Sequence, residues 1–169
     1  MPRKNRPLII TADILLFFFA IIFQITGIPD ITIKTATPLL LVPMITAFSV
    51  YSSLPAAAVT GFVTGACLDG MASGTYCFNT IVLMLTGVAV YLTANNLFNK
   101  NVQSATALSL ITAGIYFSLK WLVFYAFGVS VQDSMEYLLS FALPSALYTS
   151  LFIFPFYYLF RYFNKLLNS

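Results

Sequence analysis

Asp69 is the residue best placed to do chemistry. It stands in Gly61-Phe62-Val63-Thr64-Gly65-Ala66-Cys67-Leu68-Asp69-Gly70-Met71-Ala72-Ser73-Gly74, within a chain of 169 residues that is otherwise mostly hydrocarbon. A carboxylate among small apolar residues is costly to bury, so it marks a site by default. The other charges inside apolar runs are Asp13 and Lys120, and the thiols are Cys67 and Cys77. There is no histidine. That excludes a histidine base and a histidine-ligated zinc or haem. The stretch from Gly70 to Gly74 has no lysine and is not a phosphate-cradling loop of the Walker type. Serines and threonines are plentiful, but without a partnered base none stands out as a nucleophile. Neither a catalytic residue nor a cofactor or metal site is expected.

The elements that must position these residues are membrane spans. Hydrophobic residues make up 60% of the chain and charged residues only 8%, against roughly a quarter charged in an ordinary soluble domain. A spanning helix needs about 20 mostly apolar residues. Six runs approach this: Leu8 to Ile25, Pro38 to Tyr51, Leu54 to Asp69, Tyr76 to Leu97, Ala105 to Phe127 and Tyr137 to Tyr158. The sequence therefore predicts an all-α membrane protein of six transmembrane helices in one polytopic domain, residues 1–169. The second and third runs are short. They read as two helices joined by a tight turn at Ser52-Ser53, with Pro55 in the first turn of the next helix. The first run lacks a small-x-small cleavage site and reads as a retained span.

Basic residues set the orientation. With the N-terminus in the cytoplasm, Arg3, Lys4, Arg6, Lys100, Arg161 and Lys165 fall inside and Lys34 alone outside. Both termini are then cytoplasmic.

Within the third run, Ala57, Gly61, Gly65 and Asp69 recur every four residues and share one helix face. Small residues at this spacing let another helix approach closely in lipid. The expected picture is a tight helix–helix seam with a carboxylate at its rim, accepting bonds from backbone groups between Ser73 and Tyr76. Asp69 then either caps the next helix or binds a partner. Two readings stand for Lys120, snorkelling to the interface or an ion pair with Asp69. For Asp13, pairing with Arg6 or Arg161 and a functional role stand as alternatives. Asp13 and Asp69 fall near opposite faces, which argues against a proton relay. Cys67 and Cys77 read as small buried apolar residues, with a disulfide as the alternative. Pro144, inside the sixth run, predicts a kink.

The chain resembles the MreD family of the bacterial rod-shape system. The resemblance is carried by Gly61-x-x-x-Gly65-x-x-x-Asp69, then Gly74, Phe78 and Asn79, which open a long apolar helix to Leu97. Pro38, Pro43, Pro155 and Arg161 also look similar. The resemblance implies a non-enzymatic scaffold of the cell-wall elongation complex in the bacterial inner membrane. Its partner would be a single-span MreC-type protein, and through it the MreB filament, RodA and a class B penicillin-binding protein. It also implies a fold similar to the substrate-capture subunits of energy-coupling-factor vitamin transporters. Such a subunit is the alternative function. Gly61, Gly65, Asp69, Gly74, Phe78 and Asn79 are the expected partner-binding or helix-packing residues.

Overall fold

The computed structural model describes residues 6–26, 38–71, 76–96, 101–124 and 135–168. The described residues form helices and no strand. In chain order these are α1 (Arg6–Thr26), α2 (Leu41–Tyr51), α3 (Leu54–Met71), α4 (Phe78–Asn96), α5 (Val102–Phe124), a π turn (Leu138–Ala142), α6 (Leu143–Leu151) and α7 (Ile153–Asn168). The last three belong to one apolar stretch. Among the described residues, 5 helical stretches are long and apolar enough to cross a membrane: Ile9–Thr26, Leu54–Met71, Phe78–Asn96, Val102–Phe124 and Met135–Leu166.

The sixth apolar helix, α2, is the exception, and it organises the bundle. It has only 11 residues. At a rise of roughly 1.5 Å per residue it covers about half of a hydrocarbon core. It is apolar all round, as a helix must be to sit inside a bundle. Leu41, Val42, Met44, Ile45 and Ala47 are wholly buried, and α2 touches each of the other helices. The helices around it keep apolar outer faces, such as Ile14, Phe18 and Phe19 on α1 and Ile111 and Ile115 on α5. Those faces meet lipid.

A helix end inside a bundle must have its backbone donors met by protein. At the start of α2 two other helices do this. The Leu40 N–H donates to Gln24 Oε1 of α1 at 2.8 Å, and Gln24 Nε2 donates to the Pro38 carbonyl at 3.3 Å. The Leu39 N–H donates to Thr149 Oγ1 of α6 at 3.0 Å. Pro43, in the first turn, has no N–H to satisfy. Substituting Gln24 by leucine removes both amide bonds while keeping apolar bulk. It is expected to cost about 2 kcal/mol, read as a lower melting temperature in detergent, with Thr149→Val costing about half as much.

Proline chemistry shapes the last stretch. Pro144 cannot donate to the Ser140 carbonyl, and its ring crowds that group. The ladder opens just before it into the π turn, where the Leu143 N–H donates to the Leu138 carbonyl. Pro155 repeats the effect: the helix breaks at Phe152, whose N–H turns back to Thr149 O at 3.2 Å. The kink expected at Pro144 is thus a π turn followed by a second interruption ahead of Pro155. Ser52 and Ser53 form the tight turn between α2 and α3, with Pro55 in the first turn of α3.

Candidate functional site

The closest helix pair in the bundle is α3 with α4. Its geometry follows from the small residues. A Cβ placed on Gly65 would lie 2.5 Å from both the Asn79 carbonyl oxygen and the Thr80 Cα. One placed on Gly61 would strike the Leu83 carbonyl, and one on Gly87 would lie 2.6 Å from the Ala57 carbonyl oxygen. The two helices therefore run antiparallel with their backbones in contact, Ala57 against Gly87, Gly61 against Leu83 and Gly65 against Asn79.

One turn beyond Gly65 the seam ends in Asp69. Its Oδ1 accepts bonds from the Asn79 N–H at 3.2 Å and Asn79 Nδ2 at 2.9 Å. Its Oδ2 accepts from the Thr80 N–H at 2.7 Å and Thr80 Oγ1 at 2.6 Å. Asn79 and Thr80 are the second and third residues of α4. Their N–H groups are the ones a capping side chain ordinarily takes. Cys77, just before the helix, offers only a weak sulfur acceptor, so a carboxylate from the preceding helix takes the role. It also lies at the positive end of the α4 dipole, where negative charge is favoured.

The chain reaches this arrangement at a conformational cost. Tyr76 and Cys77 have φ of 43° and 64°, a left-handed conformation that disfavours residues with a Cβ by about 1–2 kcal/mol each. Four charge-assisted bonds outweigh that cost, at roughly 1.5 kcal/mol or more apiece before additivity is considered.

The clasp continues into α5. Tyr116, 3% exposed, donates its hydroxyl to Asn79 Oδ1 at 2.6 Å. The Phe78 ring packs on Tyr116 at 5.9 Å and edge-on to Phe124 at 5.3 Å. A chain of bonds therefore runs Tyr116 to Asn79 to Asp69, tying α5, α4 and α3 together.

Gly61, Gly65, Asp69 and Asn79 thus meet in one place, and Phe78 joins them through Tyr116. The acceptor contacts fall a few residues beyond the expected ones, on Asn79 and Thr80. Gly74 lies outside the described residues. Lys120 is half-buried on α5, one turn beyond Tyr116, and is not a donor in the four bonds above. Cys67 and Cys77 are free thiols and both are exposed. They are not the buried apolar residues expected, because Cys67 lies on the side of α3 turned away from the Gly65 seam. Among the described residues no three of Cys, Asp and Glu gather to hold a metal.

Sequence reasoning missed Thr80, Tyr116, Gln24 and Thr149. Asn79-Thr80 is a polar pair at the head of an apolar run, and Gln24 is a lone amide near the end of another. Those interruptions were the available signal.

The gathered residues Gly61, Gly65, Asp69, Phe78 and Asn79 belong to the motif on which the resemblance read from the sequence rests. A family model described as rod shape-determining protein MreD matches residues 4–167. The chain belongs to the MreD family. That match spans nearly the whole sequence, and it gives this MreD-family chain a role in rod shape determination as a multi-pass membrane protein. No curated protein and no solved structure matches it.

Proposed function

We infer that this chain is a non-enzymatic scaffold of the cell-wall elongation complex in the bacterial inner membrane. It binds a single-span MreC-type partner, and through that partner it joins the MreB filament, RodA and a class B penicillin-binding protein. The observation that carries this reading is the α3–α4 hairpin. Its glycine face is spent inside the chain, against α4. The opposite side of α3 leaves Val59, Phe62 and Val63 about half exposed. Among the described residues the main contacts of α3 besides α4 are with α1 and α2, which puts this face toward the edge of the bundle. A hairpin clasped by Asp69 presents it without loss of conformational freedom, which is what a docking surface needs.

Both Asp69 oxygens are engaged as acceptors toward α4, which suits a positioning role better than a base. Lys120, one turn from Tyr116, contributes positive charge near the same end of α5 and is the proposed counter-ion of Asp69 at longer range. The test is capture of the partner. The tagged chain, extracted in mild detergent from cells that make both proteins, is expected to bring down the MreC-type protein. Recovery with a tightly held vitamin and no cell-wall protein would replace this reading with the transporter one.

The orientation gives a separate prediction. Single cysteines at Lys4 and Ser169, in a background lacking Cys67 and Cys77, are expected to resist a membrane-impermeant maleimide in intact cells and to react after lysis. Labelling of residue 169 in intact cells would remove the arrangement with both termini inside.

A further inference from the structure

At the end of the bundle opposite Asp69, a cavity of about 280 Å³ opens between α1, the α2–α3 turn and α7. Its walls include Ile10, Phe48, Phe160 and Phe163, and its polar lining includes Asp13 and Asn164. Asp13 is the unusual member. Its Oδ1 is buried and has no hydrogen-bond partner among the described residues. A carboxylate oxygen withdrawn from water without a donor is costly. The cavity beside it leaves room for that donor to come from another molecule.

Two further features narrow the chemistry of that molecule. Arg161 is exposed on α7, in the turn that carries the cavity-lining Phe160, Phe163 and Asn164. The helical turn that closes this side of the cavity therefore also carries a positive charge, while Asp13 supplies a negative one inside. Ile10, which lines the cavity, begins a stripe with Ile14 and Phe18 along α1, and these are 50%, 63% and 57% exposed. The stripe leads from the cavity across the apolar outer surface.

A ligand matching all three has an ammonium for Asp13, an anion for Arg161 and long hydrocarbon for the stripe. We propose that this cavity binds the headgroup of an ethanolamine phospholipid, its ammonium donating to Asp13 and its phosphate facing Arg161, with an acyl chain along Ile10, Ile14 and Phe18. An ammonium bearing N–H groups meets the unpartnered oxygen directly, whereas a choline has none to donate. A glycerol headgroup carries no positive charge.

Native mass spectrometry of the full chain, released from micelles with equimolar phosphatidylethanolamine, phosphatidylcholine and phosphatidylglycerol, tests the assignment. The wild type is expected to retain phosphatidylethanolamine about tenfold over either competitor, the discrimination that one charge-assisted bond gives. Asp13→Asn is expected to level the three. Ser53 is exposed at the cavity edge, and Ser53→Trp is expected to lower retention of phosphatidylethanolamine while the melting temperature stays put. Equal retention of the three lipids by the wild type would overturn the proposal. So would a preference that survives Asp13→Asn. Should Asp13→Asn fail to fold, Ser53→Trp decides, and unchanged retention there overturns it as well.

Discussion

Gly65→Leu is expected to force α3 off α4 and to lower the melting temperature in detergent by about 10 °C or more. The size follows from what the new side chain meets. Its Cβ alone would lie 2.5 Å from a carbonyl oxygen and a Cα of α4. Neither is the end of a flexible side chain, so nothing can rotate aside and the helices must separate. Separation also carries Asp69 away from Asn79 and Thr80, so the packing and hydrogen-bond losses add. Gly114→Ala is the matched control. Gly114 lies in the middle of α5, where an added Cβ would meet nothing within 4 Å, and alanine there is expected to stabilise the helix by about 0.5–1 kcal/mol. Thermal unfolding of the two variants in one detergent checks both signs. Equal tolerance at Gly65 and Gly114 would show that the close approach of α3 and α4 is not required.

Asp69→Ala is the second large effect. It leaves the Asn79 and Thr80 N–H groups, the Asn79 amide and the Thr80 hydroxyl without their acceptor. Unmet buried donors cost about 1–3 kcal/mol each, and some will find other partners. A net loss of about 3 kcal/mol is expected. Asp69→Asn keeps the shape but turns one oxygen into a donor facing donors, so it should recover little. Tyr116→Phe removes only the outermost bond of the chain and should cost about 1 kcal/mol. Because Tyr116 acts on Asp69 through Asn79, the double variant should lose less than the two singles combined. Hydrogen exchange gives an independent reading: the Asn79 and Thr80 amides should exchange faster in Asp69→Ala, while amides in α2 keep their protection. Unchanged exchange at Asn79 and Thr80 would mean the carboxylate does not hold the start of α4.

Much of this architecture is legible from residue order. Six apolar stretches, the Ser52-Ser53 turn and the four-residue spacing of Ala57, Gly61, Gly65 and Asp69 all follow from period and side-chain size. What the glycines pack against does not. A small-residue face is equally suited to a helix of the same chain or of another, and only the three-dimensional register shows that α4 takes it. The same limit applies to Asp69, whose partners lie in the first turn of α4, beyond the left-handed Tyr76 and Cys77. The central place of α2 is hidden for another reason. Its shortness reads as a poor span, whereas it reflects a helix that is surrounded by protein. Its supports, Gln24 and Thr149, stand far from it in sequence, and no local pattern ties them to Leu39 and Leu40.

The function proposed rests on a rigid hairpin that offers its outer side to a partner. Co-purification of the MreC-type protein by Phe62→Arg tests this most directly, because Phe62 is half exposed and lies off the α4 seam. The account predicts that this variant keeps the wild-type melting temperature and loses most of the captured partner. Full recovery of the partner by a folded Phe62→Arg protein would contradict it.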